Sequence, residues 1–203
     1  MENTNDPQKI VVTGSEKMEL EGELLEKLAK AAHEVFCQSL LSEGYTYGPQ
    51  TNDKQKTHSS LMAYEKLPED EKKQNRANVR DIPHKLALAN YIMIPARGNT
   101  APVAIPPSVV EQLAEKEHER WVKTKLEAGW RWAPETDKNK KLHKSLLPWH
   151  RLTAEDRAHL YTPAEAVALG MEELSDQEKE KDRVMVRGIP QILAQAGYTI
   201  VKV

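Results

Sequence analysis

The chain is written twice. A shift of 85 positions lays His33-Glu34 on His118-Glu119, Leu41 on Leu126, Gly44 on Gly129, Pro49 on Pro134, Lys56 on Lys141, His58 on His143, Ser60-Leu61 on Ser145-Leu146 and Leu67 on Leu152, without a gap. From Leu67 onward the shift becomes 107, and Glu71-Lys72, Arg76, Val79-Arg80, Ile82-Pro83, Leu86 and Tyr91 fall on Glu178-Lys179, Arg183, Val186-Arg187, Ile189-Pro190, Leu193 and Tyr198. The change in shift is a 22-residue insertion in the second copy, near residues 153–173. A self-similar chain must fold as two related units, so the repeat outranks any local reading.

The aromatic residues sharpen the alignment because the chain holds only one Phe, four Trp and six Tyr. Ten of the eleven fall into matched pairs: Phe36/Trp121, Tyr45/Trp130, Tyr47/Trp132, Tyr64/Trp149 and Tyr91/Tyr198. Only Tyr161, inside the insertion, has no mate. Aromatic side chains supply large buried areas, so paired positions imply the same aromatic cluster in each copy. On this pattern Tyr45, Tyr47, Trp130 and Trp132 are core residues first and ligand contacts second.

Periodicity assigns the elements. Leu24, Leu25, Leu28, Ala32, Val35 and Phe36 keep the spacing of an amphipathic helix, as do Val109, Val110, Leu113, Trp121 and Val122. Ser108 with Glu111 reads as a capping box after Pro106-Pro107, and Gly44 and Gly129 close the two helices. A second helix starts near Pro68 or Ser175, and Pro83 or Pro190 restarts it. Asn90 and Gly197 then supply a left-handed stop before the strands Tyr91–Ile94 and Tyr198–Val201, and Ile10-Val11-Val12 reads as a further short strand. The expected fold is α+β and predominantly α: two helix-loop-helix-strand repeats about a pseudo-two-fold axis. Residues 1–19 lead into a first repeat at 20–95, a Pro-rich linker at 96–107 and a second repeat at 108–203.

Composition narrows the function. Charged residues make up 30% of the 203, yet 29 Lys+Arg are balanced by 31 Asp+Glu and the signs are interspersed, which argues against a nucleic-acid partner. The single Cys37 excludes an intrachain disulfide, and no apolar run approaches a membrane span, so a cytoplasmic protein with no membrane partner is expected. Cys37 aligns with Val122 and reads as a buried, unreactive thiol. No zinc-ligand spacing and no glycine-rich phosphate loop is present, so no enzyme, metal or cofactor is expected.

An anion, if one binds, must then be held by side chains. Lys123, Lys125, Arg131, Lys140 and Lys141 surround the second-copy aromatics and suit a flat ring carrying negative charge; the alternative is a solvated charged face beside a core cluster. His33-Glu34 and His118-Glu119 precede Phe36 and Trp121, so one member of each pair lies beside the ring. Polar recognition of a ligand edge and a structural histidine tying helix to loop both remain open.

The second copy carries His-Glu-x-Trp-x-x-x-Lys-x-x-x-Gly-Trp-x-Trp-x-Pro, a His nine positions after the Pro, and Leu-Leu-Pro-Trp-x-x-Leu, over His118–Leu152. This resembles the ryanodine receptor repeat, a module found in tandem in animal calcium-release channels and also in bacterial proteins. The first copy matches with Phe36, Tyr45 and Tyr47 in place of tryptophans. Ser59 and Lys144 stand where a proline usually follows the motif histidine, and Ala133 replaces a glycine. The resemblance implies a stand-alone tandem pair without catalytic activity, holding an adenine-nucleotide-like ligand between the copies. By that resemblance Phe36 and Trp121 face the ligand and Lys125 approaches phosphate, with Arg120 and Lys123 as weaker candidates. His33, His118, Glu119 and Trp130 complete the expected ligand-binding set. The rival expectation is a protein-interaction module, with Tyr161-Thr162-Pro163 as a contact.

Overall fold

The apolar stripes on the first helix of each copy cannot be buried within one copy alone, and the computed structural model shows where they go. It describes residues 20–98, 103–150 and 173–203. The Ile10–Val12 strand, most of the insertion and Tyr161-Thr162-Pro163 lie outside those residues.

In the first repeat, α1 (Gly22–Ser42) is followed by the two-residue strands β1 (Thr46–Tyr47) and β2 (Thr57–His58), a 3-10 turn (Tyr64–Lys66), α2 (Glu69–Arg80), α3 (Ile82–Leu88) and β3 (Tyr91–Pro95). The second repeat answers with α4 (Pro107–Glu127), β4 (Arg131–Trp132), β5 (Leu142–His143), α5 (Asp176–Arg187), α6 (Ile189–Ala194) and β6 (Tyr198–Lys202). The fold is α+β and predominantly α, built from two tandem repeats.

The symmetry extends to single dihedrals. Gly44 and Gly129 both have φ +83° at the ends of α1 and α4, and the related residues Lys56 and Lys141 have φ 52° and 54°. Asn90 (φ 59°) and Gly197 (φ 78°) make the left-handed step before β3 and β6, the conformation that Gly and Asn reach at least cost. β3 and β6 pair antiparallel, with Met93 opposite Ile200. Those two residues are also each other's repeat equivalents, so the pseudo-two-fold axis passes through that pair.

Two helix starts depart from the sequence reading or refine it. α4 begins at Pro107 with Pro106 as its N-cap and no capping side chain, so Ser108 and Glu111 form no capping box. Proline at the first helical position has its φ preset and no amide to leave unpaired, and Glu111 instead pairs with Arg183 at 2.7 Å. In α5 the cap is present: the Ser175 hydroxyl accepts the Glu178 amide at 3.3 Å.

One hydrophobic core serves both copies. Leu28, Ala32 and Val35 of α1, Ile82 and Leu86 of α3, Val110 and Leu113 of α4, and Ile189, Ile192 and Leu193 of α6 all belong to it. α1 packs on its own α2 and also on α5 and α6, while α4 packs on α5 and on α2 and α3. Ile105, within the expected linker, is 8% exposed and joins the core, so this part of the linker is packed rather than a free spacer.

Candidate functional site

The packing of one copy against the other leaves a cavity of about 340 Å³ at their junction, near the small end of the range for small-molecule sites. Phe36 of α1 and Trp121 of α4 both line it, together with α2, α5 and both β-strand loops. Neither ring is fully buried, although both lie on faces that otherwise turn toward the core.

His33 and His118 anchor the helices that carry these rings. Nε2 of each lies 2.7 Å from the carbonyl oxygen of Met62 or Leu147, which are repeat equivalents. The structural histidine reading is therefore correct for both, and both also line the cavity. Their partners Glu34 and Glu119 are exposed. His118 Nδ1 lies 3.1 Å from Asp182. Burial disfavours the imidazolium, but the Asp182 carboxylate outweighs it and raises the His118 pKa.

His58 and His143 stand edge-on to the two rings, at 5.3 Å from Phe36 and 4.9 Å from Trp121. Nδ1 of each accepts a backbone N–H, from Ser60 and Ser145 respectively, both at 3.1 Å. Burial, with Lys138 and Lys181 nearby, pushes His58 down to about 4; burial and Lys125 push His143 down to about 3. Both imidazoles are thus neutral at pH 7, and an occupied Nδ1 acceptor places the proton on Nε2. The cavity carries Phe36 from the first copy, Trp121 and Trp130 from the second, and one neutral imidazole N–H from each.

The loops meet over the cavity in two symmetry-related contacts. Lys144 bonds Asp53, and Lys138 donates to Ser59 at 2.8 Å; Lys144 and Ser59 are repeat equivalents, as are Lys138 and Asp53. Lys138 also pairs with Glu71 at 2.7 Å. Lys144 and Lys138 outweigh burial and hold Asp53 and Glu71 below the usual carboxylate range. Glu117 and Arg120 also line the cavity and pair at 2.6 Å, and Lys85 bonds the buried Glu117 as well.

Of the five cations around the second-copy aromatics, only Lys125 lines the cavity. Its ammonium lies 4.1 Å from the Trp130 ring centroid and 5.9 Å from that of Trp121, and burial lowers its pKa. Lys123 and Glu119 leave the site: both are exposed, and Glu119 pairs with Lys116 at 2.8 Å. Residues two positions before and after Trp121 lie on other faces of α4, which the motif alone does not reveal. Lys140 pairs with Asp137 and Lys141 caps the Ala128 carbonyl at 2.9 Å. Arg131 bonds the Trp130 carbonyl at 2.7 Å.

Trp130 is 8% exposed and also lines the cavity. Tyr45 is buried, with its hydroxyl donating to Asp53 at 2.9 Å, and the Trp132 indole donates to the Lys144 carbonyl at 3.1 Å. Tyr47 is 58% exposed, so it is not a core residue despite pairing with Trp132 in the alignment. Cys37 is half-buried, and burial raises its thiol pKa.

Sequence reasoning missed the donor role of His58 and His143, although both stood in the repeat alignment. It also missed Lys138, Lys144 and Lys181, which no motif marks. No group of His, Cys, Asp and Glu suited to a metal occurs among the described residues. No described helix is long and apolar enough to cross a membrane. A protein-family model described as the RyR domain matches residues 15–95 and again 93–169.

Proposed function

The chain belongs to the RyR domain family, with two tandem copies, and on that premise we propose that it is a non-catalytic module holding a small, flat, nucleotide-like ligand between its copies. The observation that carries this reading is the inter-repeat cavity with Phe36 and Trp121 on its wall. Ring stacking on these residues supplies affinity, and the Nε2–H groups of His58 and His143 read acceptors on the ligand's edge. Lys125 takes its negative charge.

Binding across both copies links two loops that already touch through Lys144–Asp53 and Lys138–Ser59. Occupancy would tighten that junction, which gives a binding module a mechanical output. A cytoplasmic setting accords with the lone thiol of Cys37. The protein-docking alternative placed its contact at Tyr161-Thr162-Pro163, outside the described residues, so the cavity is the feature that favours one reading.

The test is a titration of adenine and guanine nucleotides and cyclic dinucleotides, followed by tryptophan fluorescence and melting temperature. Trp121 and Trp130 line the cavity and report directly. The expected result is saturable quenching with a rise in stability of about 2.7 kcal/mol at 100 times Kd, abolished in a folded Trp121→Ala variant. A flat response across the panel refutes the ligand reading.

A further inference from the structure

The two halves of the cavity are lined by largely equivalent positions but differ in charge. Lys125 corresponds, by the shift of 85, to Leu40, which is 3% exposed and apolar. The cationic position therefore exists at one end of the cavity and is absent from the other.

The remaining cavity cations are already engaged. Arg120 pairs with Glu117, Lys138 with Glu71, Lys144 with Asp53 and Glu178, and Lys181 with Glu178 at 2.8 Å. Lys125 forms no ion pair among the described residues; its ammonium rests on the Trp130 ring instead. Six carboxylates line the cavity, those four acceptors and also Asp70 and Asp182. A ligand entering this cavity meets one uncommitted cation among carboxylates whose other partners are already engaged.

Gln74 adds a polar group that the fold leaves unused. Its Oε1 is buried with no hydrogen-bond partner, and the residue lines the cavity at the position equivalent, by the shift of 107, to Lys181 of the other copy, which lines it too. A carboxamide there offers a neutral contact where a second cation would have served a second anionic group. The volume of about 340 Å³ likewise suits one ring system rather than two.

We propose that the cavity selects a single ring system bearing one compact anionic group, as in a nucleoside monophosphate, and discriminates against polyphosphates, with Lys125 as the sole anion receptor. This rests on the ligand reading above and narrows it to a charge class. Every phosphate beyond the first faces Asp53, Glu71 or Glu178 without a free cation to offset it. To bind a triphosphate, the protein would have to break its own cross-loop ion pairs.

The experiment compares adenosine with its mono-, di- and triphosphate, and guanosine with the same series, in magnesium-free buffer at fixed ionic strength. The monophosphate is expected to bind about tenfold or more tighter than its nucleoside, the gain of one charge-assisted contact, and the triphosphate more weakly than the monophosphate. Lys125→Met should bring the ratio of monophosphate to nucleoside affinity down to about one, the gain of that contact being lost, with its melting curve confirming a folded protein. A triphosphate that binds tightest, or a Lys125→Met variant that weakens nucleoside and monophosphate equally, overturns the charge limit but leaves the ligand reading standing. Binding by no member of either series overturns this inference, and the ligand reading then stands or falls with the cyclic dinucleotides of the panel above. The wild-type charge series decides the question even if the variant fails to fold.

Discussion

Replacing Glu117 with glutamine should be among the most damaging single changes in this chain, and the molecule itself contains the cure. Lys85, 1% exposed at its side chain, bonds Glu117, 5% exposed, between α3 and α4. Arg120 joins from one side and Asp81 lies 3.9 Å from the Lys85 ammonium. Glu117→Gln leaves two cations facing one carboxylate inside the protein. Removing one partner of a buried pair costs about 3–5 kcal/mol, and with Asp81 still present the lower end, about 3 kcal/mol, applies.

The pseudo-two-fold places the same junction between α1 and α6, where it is apolar. Asn78, Asp81, Lys85, Glu117 and Arg120 correspond there to Met185, Gly188, Ile192, Ala32 and Val35. Val35 fits against Gly188 so closely that a Cβ on the glycine would meet its Cγ1 at 2.7 Å. Grafting all five apolar residues onto the ionic junction should recover wild-type stability or exceed it by about 1–4 kcal/mol, since well-packed hydrophobic residues often replace buried ion pairs without loss. Urea unfolding of wild type, Glu117→Gln and the graft, with unchanged m-values, measures both differences. The reasoning fails if Glu117→Gln lies within about 1 kcal/mol of wild type, or if the graft is less stable than Glu117→Gln.

Four further outcomes follow from the same structure. His58 and His143 have folded pKa values of about 4 and 3, below the unfolded value, so the unfolded chain binds more protons and stability falls as pH drops below about 6.5. Denaturation midpoints between pH 7 and 4.5 should show this slope, and His143→Asn should flatten it. Leu113→Ala in the shared core should cost about 2–5 kcal/mol, whereas Trp121→Ala, on the cavity wall, should cost clearly less; equal losses by urea unfolding would place Trp121 in the core. Gly197→Ala should destabilise by about 1–2 kcal/mol, because φ is 78° there, while Asn90→Gly at the equivalent position should be near neutral in the same assay. Asp53→Asn breaks a half-exposed ion pair with Lys144 and should change the melting temperature only slightly, corresponding to at most about 1 kcal/mol.

The sequence by itself determined the repeat, its 22-residue interruption and most element boundaries. Those depend on local rules: apolar spacing along α1 and α4, the glycines that end them, the prolines that restart α3 and α6, and the left-handed steps at Asn90 and Gly197. Each is a property of a few neighbouring residues, so each leaves a trace in the chain. The alignment kept the rings at Phe36 and Trp121 as one of five aromatic pairs, and the resemblance to the ryanodine receptor repeat singled them out.

Only the tertiary structure decided which charges face the cavity. Lys125 and Lys123 are two positions apart, yet one lines the site and the other is exposed, because helix rotation relative to the partner copy separates them. Tyr47 and Trp132 align, yet Tyr47 stays 58% exposed while Trp132 packs against the core and donates to the Lys144 carbonyl. Lys138, Lys144, Glu71 and Asp53 meet from positions up to 91 residues apart, a proximity created by the packing of one copy against the other. A repeated sequence dictates two similar halves; the differences between those halves, an ionic junction against an apolar one and a lysine against a leucine, acquire meaning only where the halves touch.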